Sequence, residues 1–324
     1  MSKKDRKLYK ERMKQLLDQK RQSAPSAPPE PPKLDLRFHN ASTIVPRPHK
    51  SIQIVQAGCG GIGAYTAMHV GRVISVLMEQ GLKVSYTLAD PDIVEEKNLG
   101  RQYFCRAEIG VPKAIALARR FGQAWGLETT AFHGEYSDSL LIGADLTILV
   151  GCVDNTAARR DLHDTLAHNP KELHPRDLPR VWWLDCGNLK DTGRVLLGSA
   201  YGVEQVRGAF LPKQICIGLP SPALQYPSLL VPQKEERAER EMSCAELAAA
   251  NLQSLNINAA LAVQASDFLT RLLVTHDLKR YQCAVNMASG STRSFYANPD
   301  EVAREVDKPV EFVIAQEERL AIAS

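Results

Sequence analysis

The sequence predicts an α/β fold with a doubly wound, mostly parallel sheet, helices on both faces and an antiparallel hairpin near the C-terminus. Short apolar runs alternate with segments of helical periodicity, which is the pattern of a parallel sheet covered by helices. A glycine-rich turn separates the first apolar run from the first helical segment, as in doubly wound folds. The 324 residues and their 44% hydrophobic content are sufficient for one large core.

The strands are predicted from short runs of β-branched and aliphatic residues, and the helices from apolar positions three or four residues apart. Proline, glycine and polar residues bound these runs. The elements of the predicted Rossmann-like core are, in chain order, a strand at Ile52–Ala57, a helix at Ile62–Gln80, a strand at Lys83–Ala89, a helix from Lys113, strands at Thr129–Phe132 and Leu146–Val150, a helix at Ala157–Ala167, and strands at Val181–Leu184 and Gly193–Gly198.

The C-terminal half continues with a different pattern. Residues 202–243 have little periodicity, several prolines and a charged run, so they are predicted as a long crossover or lid. A strong helical pattern runs from Cys244 to about Leu273. Two alternating runs, Tyr281–Met287 and Ser291–Tyr296, predict the antiparallel hairpin that closes the sheet.

The chain is predicted to have three parts: a basic, Pro-rich arm and linker at residues 1–33, a folded domain at 34–298 and a tail at 299–324. Residues 2–22 are dense in Lys and Arg around a thin apolar set, which favours a basic helix. Residues 23–33 are rich in proline, which lacks the amide donor, so they predict a semi-extended linker. The arm could contact nucleic acid or an acidic partner, or remain solvated without a fixed partner.

Charge and cysteine content argue against several protein classes. The 40 basic residues are nearly matched by 37 acidic ones, so the net charge of +3 does not by itself indicate nucleic-acid binding. Seven cysteines without a C-x-x-C pair argue against a disulfide framework and against a common structural zinc site. Because neither an apolar run long enough for a membrane span nor a secretory signal is present, we expect a reduced, cytoplasmic protein.

The turn Gly58-Cys59-Gly60-Gly61-Ile62-Gly63 predicts a nucleotide-binding site. Its glycines let the backbone approach phosphates, and the following helix points its free amides at the anion. Asp90 ends the second strand, where an acidic side chain can accept hydrogen bonds from ribose hydroxyls. These features indicate a nucleotide, and they suit a dehydrogenase equally well.

A longer ordered set of polar motifs is more specific. The string from Asp90 to Gln102 has the pattern D-x-D-x-V-x-x-x-N-L-x-R-Q, and Gly110-x-x-Lys113 and Cys152-Val153-Asp154-Asn155 follow it. With the glycine turn, this set closely resembles the ThiF/MoeB/HesA family of the ubiquitin-activating superfamily over residues 50–200. The helix and hairpin after Cys244 are similar to the family's C-terminal part, and bacterial operon-encoded, PRTRC-type ThiF-like proteins resemble the chain.

Transfer of an adenylyl group gives these side chains physical roles. Arg101 and Lys113 can spread the charge of a leaving pyrophosphate, and Asp154 is a suitable Mg²⁺ ligand. Asn98 and Gln102 can fix the geometry by hydrogen bonding. The resemblance implies ATP and Mg²⁺ as cofactors with the same assignments, although each residue taken alone also suits a surface salt bridge or a loop cap. The predicted nucleotide-binding set is Gly58, Gly60, Gly61, Gly63, Asp90, Asp92, Asn98, Arg101, Gln102, Lys113 and Asn155; the predicted catalytic set is Arg101, Lys113, Asp154 and Cys244.

Several members of this family pass the acyl adenylate to a cysteine, and Cys244 is the first candidate here. Ser243 and Glu246 form a capping box that predicts a helix start, so Cys244 falls in the first helical turn. The free amides and the helix dipole there lower the pKa of a thiol and favour the thiolate. The alternative is an inert, partly buried cysteine; Cys216 is a second, weaker candidate, and Cys59 and Cys152 are predicted to be packing residues.

The chain departs from the family pattern in two respects. Many relatives bind zinc through two C-x-x-C pairs, and this sequence has none, so a family zinc site is not expected. The segment R-Y-x-R-Q, which usually precedes the glycine loop and lends an arginine to the partner subunit, is also missing. Arg37 or Arg47 could substitute for that arginine.

Three functional hypotheses follow. The first is ATP-dependent adenylation of the C-terminal glycine carboxylate of a ubiquitin-like or sulfur-carrier protein, in a homodimer by family analogy, with a thioester at Cys244 as a further step. A small acid such as an amino acid is an alternative substrate. The second hypothesis is an NAD(P)-dependent oxidoreductase, which leaves four residues unexplained: Asn98, Arg101, Lys113 and Asp154. The third is a non-catalytic ATP-binding scaffold.

Overall fold

The computed structural model describes Lys14 and residues 36–189, 191–232 and 255–315. Within these residues the strands, in chain order, are β1 (Thr43–Ile44), β2 (Ser51–Ala57), β3 (Lys83–Ala89), β4 (Thr129–Phe132), β5 (Leu146–Gly151), β6 (Val181–Asn188), β7 (Thr192–Gly198), β8 (Phe210–Leu211), β9 (Ile215–Cys216), β10 (Arg280–Asn286) and β11 (Ser291–Tyr296).

The α-helices of the described residues are α1 (Arg37–Asn40), α2 (Gly61–Glu79), α3 (Lys113–Trp125), α4 (Thr156–Thr165), α5 (Pro222–Gln225), α6 (Leu255–Leu273), α7 (Pro299–Glu305) and α8 (Val310–Val313). Short 3₁₀ turns lie at Glu96–Asn98, Arg106–Glu108, Asp138–Leu140, Leu166–His168, Val203–Val206 and Pro227–Leu230.

One eight-stranded sheet organises the described part of the chain, in the order β11-β10-β7-β6-β5-β2-β3-β4. The five strands from β6 to β4 pair in parallel, and β7, β10 and β11 extend the sheet by antiparallel pairing. The strands β1, β9 and β8 form a second, three-stranded sheet in the order β1-β9-β8. The doubly wound, mostly parallel architecture and the C-terminal hairpin are therefore confirmed.

Both faces of the central strands β2, β5 and β6 are buried, because helices cover each face. Side chains alternate along a strand, so neighbouring residues point to opposite faces. Trp182 packs with the core that includes α2, α3 and α6, whereas Trp183 packs with Leu162 of α4. Both indoles are fully buried, and the near-continuous apolar run of β6 reflects this two-sided burial.

The order of the strands creates the crevice that a doubly wound sheet uses for ligands. After β2 the chain passes through α2 to β3 on one side of β2, whereas β5 pairs with β2 on the other side. The carboxyl ends of β2 and β5 lie side by side, with Ala57 opposite Gly151. Ligands of such folds bind at this reversal of strand order.

Two segments that the sequence did not assign to the core have defined structure. The described part of the predicted crossover, residues 202–232, forms β8, β9, α5 and two 3₁₀ turns. The predicted tail begins with α7 and α8, which bury Val302 and Val313, and the amide of Ala315 donates to the carbonyl of Phe210 at 2.9 Å. These side chains pack because each helix has one apolar side that the body can cover.

The basic arm, the linker and the predicted helix start at Cys244 lie outside the described residues. In the part of the chain that is described, no helix has both the length and the apolar character needed to cross a membrane.

Candidate active site

The glycine turn between β2 and α2 is held in a shape that only glycine permits. Gly58 has φ +90°, and a Cβ atom there would overlap the carbonyl oxygen of Cys152. A Cβ atom on Gly63 would overlap the carbonyl oxygen of Gly58. Gly60 is the N-cap residue of α2 and has no side chain, so no cap side chain accepts from the first amides of the helix. This geometry suits a bound phosphate.

A buried glutamine supports the turn from below. The side-chain amide of Gln56 donates to the carbonyls of Gly58 and Gly63, at 3.0 and 2.9 Å. Its own oxygen accepts a hydrogen bond of 2.8 Å from the hydroxyl of Tyr86. The sequence motifs did not predict a role for this residue, and the available signal was a buried polar side chain in a mostly apolar strand.

Asp90 connects the glycine turn to the next loop. One carboxylate oxygen accepts from the amide of Cys59 at 2.6 Å, and the other accepts from the amide of Asp92 at 2.8 Å. Burial raises the pKa of Asp90, and the two amides and Lys113 oppose this shift. Asp90 is only 5% exposed. Its two hydrogen bonds hold the glycine turn and the loop after β3 together, and the contact with ribose stays a prediction.

Lys113 is the first residue of α3 and reaches back to the same loop. Its Nζ atom lies 2.7 Å from a carboxylate oxygen of Asp92. The lysine side chain is only 6% exposed, whereas that of Asp92 is 65% exposed. The backbone adds a second link, because the amide of Lys113 donates to the carbonyl of Asp92 at 2.9 Å. A cation is therefore fixed beside the crevice at this edge of the sheet.

The segment from Asn98 to Gln102 is shaped by local hydrogen bonds. The carboxamide oxygen of the buried Asn98 accepts from the amide of Glu95 at 2.8 Å, and its carbonyl accepts from the amides of Arg101 and Gln102. Gln102 lies over the glycine turn, with its Nε2 3.9 Å from the position of a Cβ atom on Gly60. The buried Oε1 of Gln102 has no hydrogen-bond partner among the described residues.

The loop after β5 presents Asp154 and Asn155, both of which are exposed. The carboxamide oxygen of Asn155 accepts from the amide of Ala158 at 2.9 Å, so this side chain caps the N-terminus of α4. Asp154 lies three residues after the end of β5, at the reversal of strand order. The structure thus brings the glycine turn, the segment Asn98–Gln102 and the loop Cys152–Asn155 to one edge of the sheet.

The donor set at this edge fits a Mg²⁺ ion that is shared with a nucleotide. Mg²⁺ prefers oxygen ligands and is commonly held by one or two carboxylates together with phosphates and waters. Asp154 supplies one exposed carboxylate. Among the described residues, no group of three His, Cys, Asp or Glu side chains could hold a metal by itself.

Asn258 is a second residue that sequence analysis missed. It lies in the first turns of α6, is fully buried, and donates from Nδ2 to the carbonyl of Arg101 at 3.1 Å. Its Oδ1 accepts from the side-chain amide of Asn188 at 3.1 Å. A Cβ atom on Gly61 would lie 2.7 Å from Nδ2 of Asn258, so the helix approaches the glycine turn closely.

A buried ion pair lies at the end of the neighbouring strand. Nε of Arg159, on α4, is 3.3 Å from the carboxylate of Asp185. Asp185 lies in β6, opposite Gly151 of β5. Burial raises the pKa of Asp185, and Arg159 lowers it. The sequence shows only a charged residue in an apolar run as a signal, because its partner is 26 residues away in the chain.

The cysteines differ sharply in exposure. Cys216 is buried, its thiol donates to the carbonyl of Gly218 at 3.3 Å, and burial raises its pKa to about 12. This environment does not suit a nucleophile. Cys59 is buried as the packing prediction expected, and Cys105 is the exposed cysteine of the described residues. Cys244 lies outside them.

The two candidates for a substitute arginine are placed away from the crevice of their own chain. Arg37 lies 3.9 Å from Glu301 across a weak ion pair. Arg47 precedes the amino end of β2, whereas the glycine turn follows its carboxyl end. A role for either residue in a partner subunit stays a prediction.

Comparison with known proteins identifies the segment that carries these motifs. Residues 48–183 match the sequence model of the ThiF family. This match confirms the predicted resemblance. The matched stretch, the ThiF segment, contains the glycine turn, Asp90, Arg101, Lys113 and Asp154.

Solved structures share the fold at low sequence identity. A crystal structure of PaaA is 14% identical with a TM-score of 0.50, and the match covers 76% of this chain and 64% of that chain. Escherichia coli MccB with AMPCPP and MccA is 14% identical, with a TM-score of 0.47 and coverages of 82% and 66%. MccB with ATP is 15% identical, with a TM-score of 0.48 and coverages of 76% and 64%.

The chain thus spans less than two thirds of the length of these proteins. A comparison with curated protein sequences finds no match. The likeness to PaaA supports the Rossmann-like fold beyond the ThiF segment, and the chemistry has to be argued from the site itself.

Proposed function

We propose that this protein uses ATP to adenylate a carboxylate at the C-terminus of a peptide or small carrier protein, with release of pyrophosphate. The observation that carries the proposal is the meeting of three loops at one sheet edge. The glycine turn and the loop Cys152–Asn155 supply an open helix N-terminus and an exposed carboxylate, and Lys113, at the start of α3, adds a buried lysine, all within the ThiF segment. Adenylate transfer needs groups that bind phosphate, stabilise negative charge and ligate a metal ion, and these three groups can do so.

The nucleotide is proposed to bind along the glycine turn. Phosphate oxygens would accept from the first amides of α2, where the helix dipole favours an anion. The ribose would lie beside Asp90, whose oxygens keep lone pairs in addition to those used by Cys59 and Asp92. Gly60 leaves room for this approach, because the nearest atom to a Cβ there would be Nε2 of Gln102 at 3.9 Å.

In the reaction, an oxygen of the substrate carboxylate attacks the α-phosphorus of ATP. The bond from that phosphorus to the bridging oxygen breaks, and pyrophosphate carries away the electron pair. Arg101 and Lys113 would stabilise the charge that grows on the leaving group. Mg²⁺ bound at Asp154 would neutralise charge on the phosphates.

The pair between Lys113 and Asp92 gives this lysine a defined starting position. Its ammonium group is desolvated and held at 2.7 Å from the carboxylate. Hydrogen bonds to ionised groups are the stronger class, and a triphosphate offers a larger negative charge than one exposed carboxylate. We infer that Lys113 exchanges Asp92 for phosphate oxygens when ATP binds.

The finer proposal concerns the acceptor. We propose the C-terminal glycine carboxylate of a ubiquitin-like or sulfur-carrier protein as the substrate, and a thioester on Cys244 as the following step. The support is the family resemblance and the predicted place of Cys244 in a first helical turn. The buried, high-pKa thiol of Cys216 makes it a poor competitor.

The test is ATP–pyrophosphate exchange with glycine-terminated carrier proteins. Asp154→Ala should abolish carrier-dependent exchange, and Asp164→Ala, an exposed aspartate on α4, is the matched control that should retain it. ATP binding without exchange for any carrier would favour the scaffold hypothesis. NAD binding without ATP binding would overturn adenylation in favour of the oxidoreductase.

The thioester step needs its own readout. With an active carrier, Cys244→Ala should spare exchange and remove a thiol-sensitive covalent adduct in mass spectra. Cys105→Ala is the matched control, because Cys105 is exposed and near the nucleotide loops. An adduct that survives Cys244→Ala would contradict this step while leaving adenylation intact.

A further inference from the structure

Asn258, on α6, makes hydrogen bonds to two separate parts of the molecule, the loop that carries Arg101 and the carboxyl end of β6. Its Nδ2 donates to the carbonyl of Arg101, and its Oδ1 accepts from Asn188 at the end of β6. A carbonyl can only accept, so the contact with Arg101 fixes which end of the carboxamide is the donor. The chain of contacts runs from Asn188 through Asn258 to Arg101.

The choice of asparagine at this position is costly unless these contacts matter. Asparagine has a lower helix propensity than alanine, and a fully buried carboxamide needs its hydrogen bonds to offset desolvation. The neighbouring residues of α6 that face the core are apolar, for example Ile257 and Leu261. An apolar side chain at 258 would therefore suit the helix and its packing better.

The third contact ties the residue to the glycine turn. Nδ2 of Asn258 lies 2.7 Å from the position that a Cβ atom of Gly61 would occupy. The carboxamide therefore packs directly on the first residue of α2, whose amide is one of the proposed phosphate donors. Arg101 and Gly61 are both held against one rigid group.

We infer that Asn258 is a positioning residue: it keeps the Arg101 loop and the Gly61 amide in the arrangement that binds the triphosphate of ATP. The inference rests on the proposed function for the identity of the ligand. It gives a role to a residue outside the ThiF segment, on a helix that comes much later in the sequence. The bond to Asn188 extends the same control to the carboxyl end of β6.

A purely structural role is the competing explanation, and Asn169 provides a matched control. Asn169 is also buried, and its carboxamide donates to the carbonyls of Val181 and Ser199 and accepts from the amides of Arg180 and Val181. These contacts lie at the amino end of β6, away from the glycine turn. Its removal tests loss of a buried carboxamide without a change at the site.

The experiment measures binding of AMPCPP with Mg²⁺ to the full chain by calorimetry, together with thermal unfolding. Asn258→Ala should weaken AMPCPP binding about ten-fold, which corresponds to about 1.4 kcal/mol. Asn169→Ala should lower the unfolding temperature and leave the affinity of the folded protein within about two-fold, because its contacts stabilise the core alone.

A shape-conserving variant separates hydrogen bonding from packing. Asn258→Asp keeps the size and the acceptor for Asn188, but it cannot donate to Arg101 when ionised. We expect a larger loss of AMPCPP affinity than for Asn258→Ala, because a carboxylate beside the triphosphate also repels it. Gly61→Ala should cost less affinity in the Asn258→Ala background than in wild type, because the close neighbour is gone.

Each outcome has a defined meaning. Wild-type affinity in both folded Asn258 variants would overturn the positioning role, whatever their stability. Equal losses of affinity in Asn169→Ala and Asn258→Ala would also overturn it, since the effect would then come from general destabilisation. Failure of the wild type to bind AMPCPP would instead count against the proposed function, and wild-type binding without exchange would leave the Asn258 inference standing.

Discussion

Two strand-to-helix turns at the same sheet edge handle the free amides of their helices in opposite ways. The turn from β2 to α2 has Gly60 as its cap, with no side-chain hydrogen bond. The turn from β5 to α4 has Asn155 as its cap, and this side chain accepts from the amide of Ala158. The first turn is therefore left open for an external anion, whereas the second satisfies an amide itself and displays the carboxylate of Asp154.

Because its two turns differ in this way, one edge of the sheet can recognise both parts of a metal-bound nucleotide. Open amides attract phosphate, and an exposed carboxylate attracts the cation that accompanies it. A cavity of about 650 Å³ beside α3, β3 and β4 is not this site. Ser85, Arg119 and Glu128 are among the residues that line it, and neither the glycine turn nor Asp154 does.

The largest effect is expected from breaking the open turn. Gly58→Ala should lower the free energy of unfolding by about 4 kcal/mol, because it combines backbone strain with overlap on the carbonyl of Cys152. Gly81→Ala is the matched control, since Gly81 has φ +85° and no atom within 4 Å of an added Cβ. It should cost about 1 kcal/mol in urea unfolding. Similar losses for the two variants would show that the close approach to Cys152 carries no weight.

A smaller effect is expected from the helix that follows the capped turn. Arg159→Met should lower the free energy of unfolding by about 3 kcal/mol at neutral pH, because it leaves Asp185 charged and buried without its partner. Arg160→Met should change it by at most about 0.5 kcal/mol, since Arg160 is exposed and makes one carbonyl contact.

The pH dependence of the Arg159 variant has a definite sign. The folded-state pKa of Asp185 is already raised by burial above its ordinary value of 3.8, and loss of the arginine raises it further. The folded protein therefore binds this proton more tightly than the unfolded chain, so stability falls as pH rises from the ordinary pKa through the folded-state pKa. Urea unfolding between about pH 4 and pH 8 should show the variant's deficit shrinking in acid. A deficit that grows in acid would contradict the assignment of the buried charge.

The smallest effect is expected from the cap itself. Asn155→Ala should cost about 1 kcal/mol of stability, and Asn155→Ser should recover most of it, because a hydroxyl can also accept from the amide of Ala158. AMPCPP affinity serves as the second readout. If both variants bind AMPCPP much more weakly than wild type, Asn155 contacts the nucleotide directly, as the sequence predicts, and the cap is only part of its role.

Local patterns predicted the bounds of three strands well. The predicted Lys83–Ala89 and Thr129–Phe132 coincide with β3 and β4, and Ile52–Ala57 differs from β2 by one residue. These strands are short runs rich in apolar and β-branched residues, which distinguishes them from the turns that bound them. Segments with mixed composition, such as α7 and α8, were not assigned because their apolar residues are few and their burial depends on distant partners.

The site was predicted in part for the same reason. The glycine turn and the polar motifs lie in loops that directly follow strands, and parallel strands bring those loops to one edge. Asn258 and the pair of Arg159 with Asp185 were not found, because their contacts join elements far apart in the chain. Gln56 was not found, because its role depends on the folded shape of the glycine turn and on Tyr86 of the neighbouring strand. For Asp90 the position was predictable, whereas its two amide partners were not.

The doubly wound sheet, the place of the glycine turn and the order of the polar motifs could be predicted from local patterns, because hydrophobic periodicity and glycine conformation act over a few neighbouring residues. Only the folded chain shows that Asp90 holds two loops together, that Lys113 is buried beside Asp92, and that Asn258 packs on Gly61. These outcomes depend on distances and desolvation between residues far apart in the chain, which no local pattern specifies.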